Sequence, residues 1–447
     1  MTTDQAVRGA SAEEILDLCR EYTLYEWGTQ EQINPIPFAR AKGIYLWDAD
    51  GKRYLDFNSQ AMCVNIGHAD DRVVQAIAEQ VAQLPYVVPA HATEARGKLG
   101  KELARISPEG LNKSYITLAG ADANEAAVRI ARLYTGRHKI LTRYRSYHGS
   151  SQGVMYASGD FRRMPSEEGM AGVVRILDPY LYRSPLAVDQ EDFVPAYMQY
   201  LEDVIQREGP DTIAAILLEP ITGTNGIIVP PPGWYRGIRE LCDRYGILLI
   251  DDEVMSGFGR TGKWFAIEHE DVVPDMMTMA KGLTSAIVPL GAVMVNDSIA
   301  AHFEHNPLGH GITYGSHTVG CAAALATLSV YEEDNLIENA ARMGELIQSE
   351  YTAMTDRHPS IGEARGRGLF TVLELTADRR TKAPLMSINP DLTSRVDQFF
   401  RDEGMFVNVR GDFIFGNPPL SISEDELRWA LSIVDRALEI TDEAVRS

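Results

Sequence analysis

The sequence predicts an α/β protein. We expect a large domain with a mostly parallel, mixed sheet flanked by helices, and a small α+β domain built from both chain ends. Through the middle of the chain, short apolar runs alternate with longer amphipathic segments, as in the crossover units of parallel sheets. Both ends instead carry short strand patterns separated by loops. The length of 447 residues is also more than one simple core usually takes.

The middle of the chain supplies the predicted central sheet. Its apolar runs predict strands at residues 115–118, 139–142, 173–177, 213–219, 247–251, 276–279 and 292–295. Amphipathic periodicity predicts helices at 124–134, 197–207, 235–245 and 319–333. Ligands of open α/β sheets bind beyond the carboxyl ends of the strands. Glu219, Asp252 and Lys281 lie at or just past such ends and are therefore candidates for one site.

The two chain ends have a different pattern. A hairpin is predicted around Ala49-Asp50-Gly51, and short strands are predicted within 362–375 and 405–415. A closing amphipathic helix is predicted at 424–441. We therefore assign the large domain to residues 66–325, with 1–65 and 326–447 forming the small domain.

Composition excludes several classes of protein. The net charge of −21 argues against nucleic acid as a partner, because phosphate binding needs a basic surface. No apolar run approaches the roughly 18 residues of a membrane span. The polar start of the sequence, without a hydrophobic leader, and the absence of Cys-x-x-Cys pairs predict a reduced cytoplasmic protein. His302 and His305 lack a third ligand at a recognised spacing, so no metal site is predicted.

Lys281 and Asp252 are the most informative pair of residues. Lys281 follows the apolar run MTMA, and Asp252 ends the run LLID. A cofactor that carries an aldehyde on a pyridine ring needs both groups, because the amine forms a Schiff base and the carboxylate keeps the ring nitrogen protonated. Taken singly, they are an exposed lysine and a strand-end aspartate.

A phosphate site is predicted at Gly120 and Ala121, between a strand and a helix. Small residues before a helix N-terminus expose backbone N–H groups to an anion. Asp122 and Glu125 form a capping pair, and Gly136 is placed to end the helix. An ordinary well-capped helix is the alternative.

Two further motifs lie near strand ends. In RYRSYHG, residues 143–149, Tyr147 is placed to stack on a flat ring, with a surface turn as the alternative. The glycines of GFGRTGKW, residues 257–264, partly match two nucleotide-binding motifs. Residues 252–256 separate them from the strand end, and Trp264 replaces the required Ser or Thr after Lys263. We therefore expect no nucleotide there.

Over nearly its whole length the chain resembles the class III (omega-type) aminotransferases, which are fold-type I pyridoxal-phosphate enzymes. The blocks LLIDDEVMSGFGRTG and PDMMTMAKG carry the resemblance, and RYRSYHG is similar to taurine:2-oxo-acid aminotransferases. The resemblance implies pyridoxal 5'-phosphate as cofactor and a homodimer or tetramer with active sites at the interface. It implies two-step transfer of an amino group from a taurine-, β-alanine- or 4-aminobutyrate-type donor to 2-oxoglutarate or pyruvate. An aminomutase, racemase or decarboxylase on the same scaffold is the alternative.

The resemblance also implies roles for individual residues. Lys281 and Asp252 are implied to be catalytic, and Thr313 is implied to reach the phosphate from a second subunit. The cofactor-binding positions so implied are Gly120, Ala121, Tyr147, His148, Glu219, Asp252, Val254, Lys281 and Thr313. The implied substrate pocket consists of Trp27, Met62, Tyr86, Thr224 and Arg410.

Two departures from the family pattern bear on these roles. Relatives usually carry Ser or Thr where this chain has Ala119 and Ala121. Backbone amides and Thr313 would therefore hold the phosphate, and the cofactor would bind more weakly. Arg410 lies eight positions before Pro418, two fewer than relatives often show. A two-residue change keeps a strand side chain on the same face, so Arg410 either anchors the substrate acid group or pairs structurally with Asp412.

Overall fold

A computed structural model of the chain describes residues 10–166, 171–186 and 188–446. The first nine residues, on which the expectation of no leader rests, lie outside these ranges. The helices are α1 Ala12–Tyr22, α2 Ser59–Met62, α3 Asp71–Gln83, α4 Glu94–Ile106, α5 Gly120–Thr135, α6 Gln152–Ala157, α7 Phe193–Glu208, α8 Trp234–Tyr245, α9 Asp297–His305, α10 Thr318–Glu333, α11 Leu336–Arg357, α12 Pro390–Asp402 and α13 Glu424–Arg446. The strands are β1 Phe38–Lys42, β2 Tyr45–Asp48, β3 Arg53–Asp56, β4 Leu111–Thr117, β5 Lys139–Arg143, β6 Val173–Ile176, β7 Ile213–Leu218, β8 Leu248–Asp252, β9 Met276–Met279, β10 Gly291–Asn296, β11 Ile361–Arg367, β12 Phe370–Leu375, β13 Met405–Phe406, β14 Val409–Arg410 and β15 Phe413–Gly416.

The central sheet has seven strands in the order β4-β10-β9-β8-β7-β5-β6. Strand β10 runs antiparallel to both of its neighbours, whereas the pairings among β9, β8, β7, β5 and β6 are parallel. All residues of β7, β8 and β9 are buried, as expected for strands covered on both faces. The predicted α/β class with a mostly parallel, mixed sheet is confirmed.

Alternation along the strands sends side chains to two layers of helices. In β7, Ala215 and Leu217 join the hydrophobic cluster that contains the apolar face of α5. Ile216 and Leu218 join the larger cluster, which contains α8. In β8, Ile250 belongs to the α5 cluster, so Asp252, two residues on, also faces α5.

The chain ends meet in a second sheet, in the order β1-β2-β3-β13, where β13 pairs in parallel with β3. A third sheet, β11-β12-β15-β14, contains the predicted strands of 362–375 as an antiparallel hairpin. Helix α10 continues through the predicted border at residue 325, and α13 extends past its predicted end. The division into domains stays a prediction.

Helix α5 begins four residues earlier than predicted. Its N-cap is Ala119, which has no side chain to bond the first turn. The predicted Asp122–Glu125 capping pair is therefore wrong, and Glu125 instead accepts hydrogen bonds from Ser151 Oγ at 2.9 Å and Val154 N–H at 3.1 Å. The predicted end at Gly136, in the left-handed region with φ of 69°, is confirmed.

In the described ranges, no helix combines the length and the apolar character needed to cross a membrane.

Candidate active site

A cavity of about 360 Å³ lies beyond the carboxyl ends of β7, β8 and β9. Residues brought to its wall include Asn124, Cys63 and most of the predicted cofactor-binding set. The predicted positions that line it are Gly120, Ala121, Tyr147, His148, Glu219, Asp252, Val254 and Lys281. Residues from six separate segments therefore converge on one cavity, as the strand-end argument anticipates.

Asp252 is buried at the end of β8, with 2% of its surface exposed. Its Oδ2 lies 2.7 Å from His148 Nδ1 and accepts a hydrogen bond from Asn124 Nδ2 at 2.8 Å. Its Oδ1 accepts a hydrogen bond from the Val254 N–H at 3.1 Å. On the other side of the imidazole, Nε2 lies 3.2 Å from Thr142 Oγ1. Both oxygens of the carboxylate are thus held by protein groups, Oδ2 by two side chains and Oδ1 by a backbone N–H.

Asn124 is a site residue that sequence reasoning missed. Besides its bond to Asp252, it donates from Nδ2 to the His148 carbonyl at 2.9 Å, and its Oδ1 accepts from Thr278 Oγ1 at 2.7 Å. A single amide among the alanines of α5, on a face that is otherwise apolar, was the available signal. Buried polar groups need partners, and Asn124 finds its partners at the cavity.

Lys281 follows β9 and starts a short 3-10 turn with a φ of 45°. A non-glycine residue in this left-handed region costs on the order of 1–3 kcal/mol and is found at functional sites. Burial lowers the pKa of its amine, opposed by the charges of Cys63, Asp252 and Glu219. More of the amine is therefore neutral, and so nucleophilic, at neutral pH than for an exposed lysine.

Glu219 is buried beneath Tyr147. Its Oε1 accepts a hydrogen bond from the Tyr147 N–H at 3.1 Å, and its Oε2 accepts one from the Gly223 N–H at 2.7 Å. Burial raises the pKa of this carboxyl. The glutamate therefore fixes the backbone of two loops at the cavity wall.

The phosphate-binding prediction concerns the N-terminus of α5. The first N–H groups of a helix have no partner within the helix and favour an anion. A Cβ added at Gly120 would lie 2.7 Å from Val254 Cγ1, so no side chain fits there. With the Lys281 amine and the Asp252 carboxylate on the same cavity, the residues fit an aldehyde, a pyridine nitrogen and a phosphate on one flat ring.

A cluster that sequence reasoning missed borders Tyr147. The Arg162 guanidinium carbon lies 3.6 Å from the Tyr147 ring centre and 5.4 Å from that of Trp27. Arg162 Nε donates to Asp160 Oδ2 at 2.7 Å, and its Nη2 donates to Thr224 Oγ1 at 2.8 Å. The cluster thus contains Trp27 and Thr224 from the predicted substrate pocket.

Arg410 extends this cluster from β14. Its Nη2 lies 3.7 Å from Asp160 Oδ2, and its guanidinium carbon lies 5.2 Å from the Phe161 ring centre. The predicted alternative, a structural Arg410–Asp412 pair, is contradicted. Asp412 Oδ1 instead accepts hydrogen bonds from the backbone N–H groups of residues 385–387, which turn toward it.

Six predicted residues are not among those lining the cavity. Three of them, Trp27, Thr224 and Arg410, belong to the cluster around Arg162, and the other three are Met62, Tyr86 and Thr313. Met62 is buried in an apolar cluster with Met255, which does line it. Tyr86 and Thr313 lie together elsewhere, where Tyr86 Oη donates to the Thr313 carbonyl at 2.8 Å. Tyr86 is 39% exposed, and Thr313 is exposed as well.

Within the part of the chain that the structure describes, no group of three or more His, Cys, Asp or Glu side chains is placed to hold a metal ion.

Comparisons with known proteins agree with this geometry. A family model described as Aminotransferase class-III matches residues 28–438. The chain is 36% identical over 399 residues to the taurine–pyruvate aminotransferase of Bilophila wadsworthia, covering 86% of each chain. It is 32% identical to the putrescine–pyruvate aminotransferase of Pseudomonas aeruginosa, covering 98% and 99%. The solved taurine:2-oxoglutarate aminotransferase of Bifidobacterium kashiwanohense, in complex with PLP and glutamate, is 39% identical with a TM-score of 0.93, covering 97% and 99%.

Proposed function

We propose a donor class for this chain, which belongs to the class III aminotransferases and is a pyridoxal-phosphate-dependent transaminase. Its amino donor is an amine that carries an acid group some atoms away from the amino group. Taurine, β-alanine and 4-aminobutyrate are donors of this type, and a 2-oxo acid is the acceptor. The observation that carries the proposal is Arg410, whose guanidinium lies near the same Asp160 carboxylate as Arg162, and Arg162 stacks on Tyr147 of the cavity wall. The two substrates would use the site in turn.

The cofactor would be held by residues of this chain. Lys281 would hold its aldehyde carbon, Asp252 its ring nitrogen, and the backbone N–H groups of Gly120 and Ala121 its phosphate. Val254 and Tyr147, both on the cavity wall, would contact its ring faces. When bound, pyridoxal phosphate supplies an electron sink that stabilises negative charge at the substrate carbon.

Lys281 would also move the proton of the reaction. Once the substrate amine has displaced it, its Nζ would take the proton from the substrate carbon and hold it for return. A neutral amine is required for this step, and the lowered pKa of Lys281 favours one.

Arg410 would bind the acid group of each substrate. A guanidinium offers two parallel N–H groups to a carboxylate or a sulfonate. In the described part of the chain its closest charged partner is Asp160 at 3.7 Å, which is beyond hydrogen-bond distance. Arg162, by contrast, already donates to Asp160 and Thr224 and stacks on Tyr147. We therefore assign the anchoring role to Arg410 and a supporting role to Arg162.

We further propose a homodimer or tetramer with active sites at the interface. Thr313 and Tyr86 contact each other on an exposed part of this chain. Both would then reach the cavity of a second copy, where Thr313 would support the phosphate. Residues 66–325 would form the large domain, with 1–65 and 326–447 the small one. The four cysteines, all free, fit a cytoplasmic location.

A donor and acceptor panel tests the proposed function. Purified protein with pyridoxal phosphate is incubated with taurine, β-alanine, 4-aminobutyrate or 1-phenylethylamine. Each donor is paired with pyruvate or 2-oxoglutarate, and the alanine or glutamate formed is measured. We expect an acidic donor to give product, Lys281→Ala to give none, and the surface variant Lys98→Ala to behave as wild type. Consumption of donor without any 2-oxo acid would instead show an aminomutase, racemase or decarboxylase.

A further inference from the structure

Two arginines share one carboxylate at the proposed acid-binding end of the site. Arg162 donates to Asp160 from Nε at 2.7 Å and also from Nη2. Arg410 approaches the same oxygen, Oδ2, to 3.7 Å. The three side chains are 9%, 27% and 5% exposed for Arg162, Arg410 and Asp160. Charges in this group are therefore poorly screened by solvent, and each charge affects which ligands the pocket binds.

Asp160 is a fixed part of the pocket wall. Its backbone N–H donates to the Ser146 carbonyl at 3.3 Å, and its Oδ1 accepts from the Arg162 N–H at 3.0 Å. The preceding Gly159 is packed so tightly that a Cβ there would lie 2.0 Å from the Arg143 carbonyl oxygen. The backbone of Asp160 is thus held in place, and the carboxylate is oriented by its hydrogen bonds from Arg162.

Arg162, Arg410 and Asp160 together carry a net charge of about +1, because two guanidiniums face one carboxylate. Two guanidiniums and one carboxylate can balance a single incoming anionic group. A second anionic group would be buried without a partner, which costs free energy. Burial and the neighbouring Arg162 lower the pKa of Arg410, and the charge of Asp160 offsets part of this lowering.

We propose that Asp160 determines acceptor specificity by limiting the pocket to one anionic group. The enzyme then prefers 2-oxo acids with one carboxylate, such as pyruvate, to dicarboxylates such as 2-oxoglutarate. This inference rests on the proposed function, because it assigns the acid group of the acceptor to Arg410. The same limit suits donors that carry one sulfonate or one carboxylate.

The isosteric variant Asp160→Asn tests the proposal through specificity. Values of kcat/KM for pyruvate and 2-oxoglutarate are compared with one donor in the wild type and the variant. The wild type is expected to favour pyruvate. Asp160→Asn is expected to shift the ratio toward 2-oxoglutarate on the order of tenfold, because one negative charge is removed from a poorly screened site. Asp391→Asn, which removes an exposed charge in α12, is the matched control and should leave the ratio unchanged.

A wild type that prefers 2-oxoglutarate, or an unchanged ratio in Asp160→Asn, would overturn the inference. A general loss of structure would reduce turnover of both acceptors together, without moving their ratio. Asp160→Ser, a smaller neutral replacement, should shift the ratio in the same direction if charge is the cause.

Binding without turnover separates this inference from the proposed function. Propionate and glutarate, which cannot accept an amino group, are titrated into cofactor-loaded protein by calorimetry. We expect the wild type to bind propionate more tightly than glutarate, and Asp160→Asn to narrow or reverse the difference. If this selectivity appears while no donor yields an amino acid, the transaminase assignment of substrates fails and the role of Asp160 stands. Equal affinities in the wild type would contradict the role of Asp160.

Discussion

Nδ1 of His148 lies 2.7 Å from Oδ2 of Asp252, the same oxygen that accepts a hydrogen bond from Asn124 Nδ2 at 2.8 Å. Both side-chain partners therefore occupy one carboxylate oxygen. The other, Oδ1, accepts a hydrogen bond from the Val254 N–H at 3.1 Å and has a further lone pair, which the ring nitrogen of the cofactor would use in the proposed function. The orientation of the carboxylate is thus set by the protein before any ligand binds, which is the arrangement that electrostatic preorganisation requires.

Replacing the Asp252 carboxylate should lower kcat/KM more than replacing its partner His148. Asp252→Asn removes the charge that, in the proposed function, would keep the ring nitrogen protonated, and we expect kcat/KM to fall on the order of 10²–10⁴-fold. His148→Gln only loosens the carboxylate, for an expected loss of about 10–100-fold, as is usual for residues that orient a functional group. Steady-state kinetics with the donor found in the panel measures both. Asp243→Asn, exposed at the end of α8, serves as control, and a wild-type rate in Asp252→Asn would contradict the assignment.

Gly120 should tolerate no side chain. A methyl group there would meet Val254 Cγ1 at 2.7 Å and Cγ2 at 2.9 Å, both on the cavity wall. We expect Gly120→Ala to weaken cofactor binding about tenfold or more, since overpacking typically costs on the order of 1–3 kcal/mol. Fluorescence titration of the cofactor-free protein with pyridoxal phosphate measures the dissociation constant.

Two further variants show whether the effect at Gly120 is steric. Gly97 is a helical glycine in α4 where an added Cβ meets nothing within 4 Å. Gly97→Ala should therefore leave cofactor affinity unchanged and stabilise the fold slightly. Adding Val254→Ala to Gly120→Ala should restore part of the lost affinity, and failure to do so would show that Gly120 acts through the backbone instead.

The central sheet was predictable because the local sequence pattern of its strands agrees with the structure they form. The run Ile213–Leu218 is short and apolar at every position, which is typical of a strand that is covered on both faces. The start of α5 was not predictable in the same way. Asp122 and Glu125 have the spacing of a capping pair, but tertiary contacts draw Glu125 to Ser151 and leave Ala119 as the N-cap.

The proposed acid-binding cluster was half predictable. Arg410 was assigned from the resemblance to relatives that carry an arginine before a Gly-Asp pair and a Pro-Pro pair, whereas Asp160 and Arg162 lie in an irregular segment without periodicity. Sequence spacing suggested Asp412 as the partner of Arg410, but the turn after β14 directs Asp412 to the backbone of residues 385–387. Only the packing of β14 beside the Asp160 segment brings the arginines together.

The capture of cofactor by Lys281 should depend on pH. Only the neutral amine attacks an aldehyde, and burial lowers the pKa of Lys281 below its ordinary value. The rate at which pyridoxal phosphate combines with the cofactor-free protein should therefore rise with pH and level off at a pH below the pKa of a free lysine, about 10.4. Stopped-flow absorbance follows this rate. Lys281→Arg, which keeps the charge, should show no covalent phase, and a rate that falls with rising pH would contradict the assignment.

Two buried carboxyl groups beside Asp252 should make the fold less stable as pH rises. Burial raises the pKa of Glu253 to about 8 and raises that of Asp251 well above its ordinary value. Ser256 Oγ and the Ile267 N–H donate to Glu253, while the Asp251 oxygens accept no hydrogen bond from the described residues. The folded chain thus keeps protons that the unfolded chain releases above about pH 4.

The sign of the effect follows from this difference in bound protons. Because the unfolded state binds fewer protons than the folded state between about pH 4 and 8, the free energy of unfolding falls as pH rises through this window. Each group contributes at most about 1.4 kcal/mol per pH unit. Urea unfolding of the cofactor-free protein at pH 5, 6.5 and 8 should show this fall, and the double variant Asp251→Asn/Glu253→Gln should flatten it. The exposed Glu240→Gln should keep the wild-type slope, and a double variant with that same slope would show that neither carboxyl group holds its proton in the folded state.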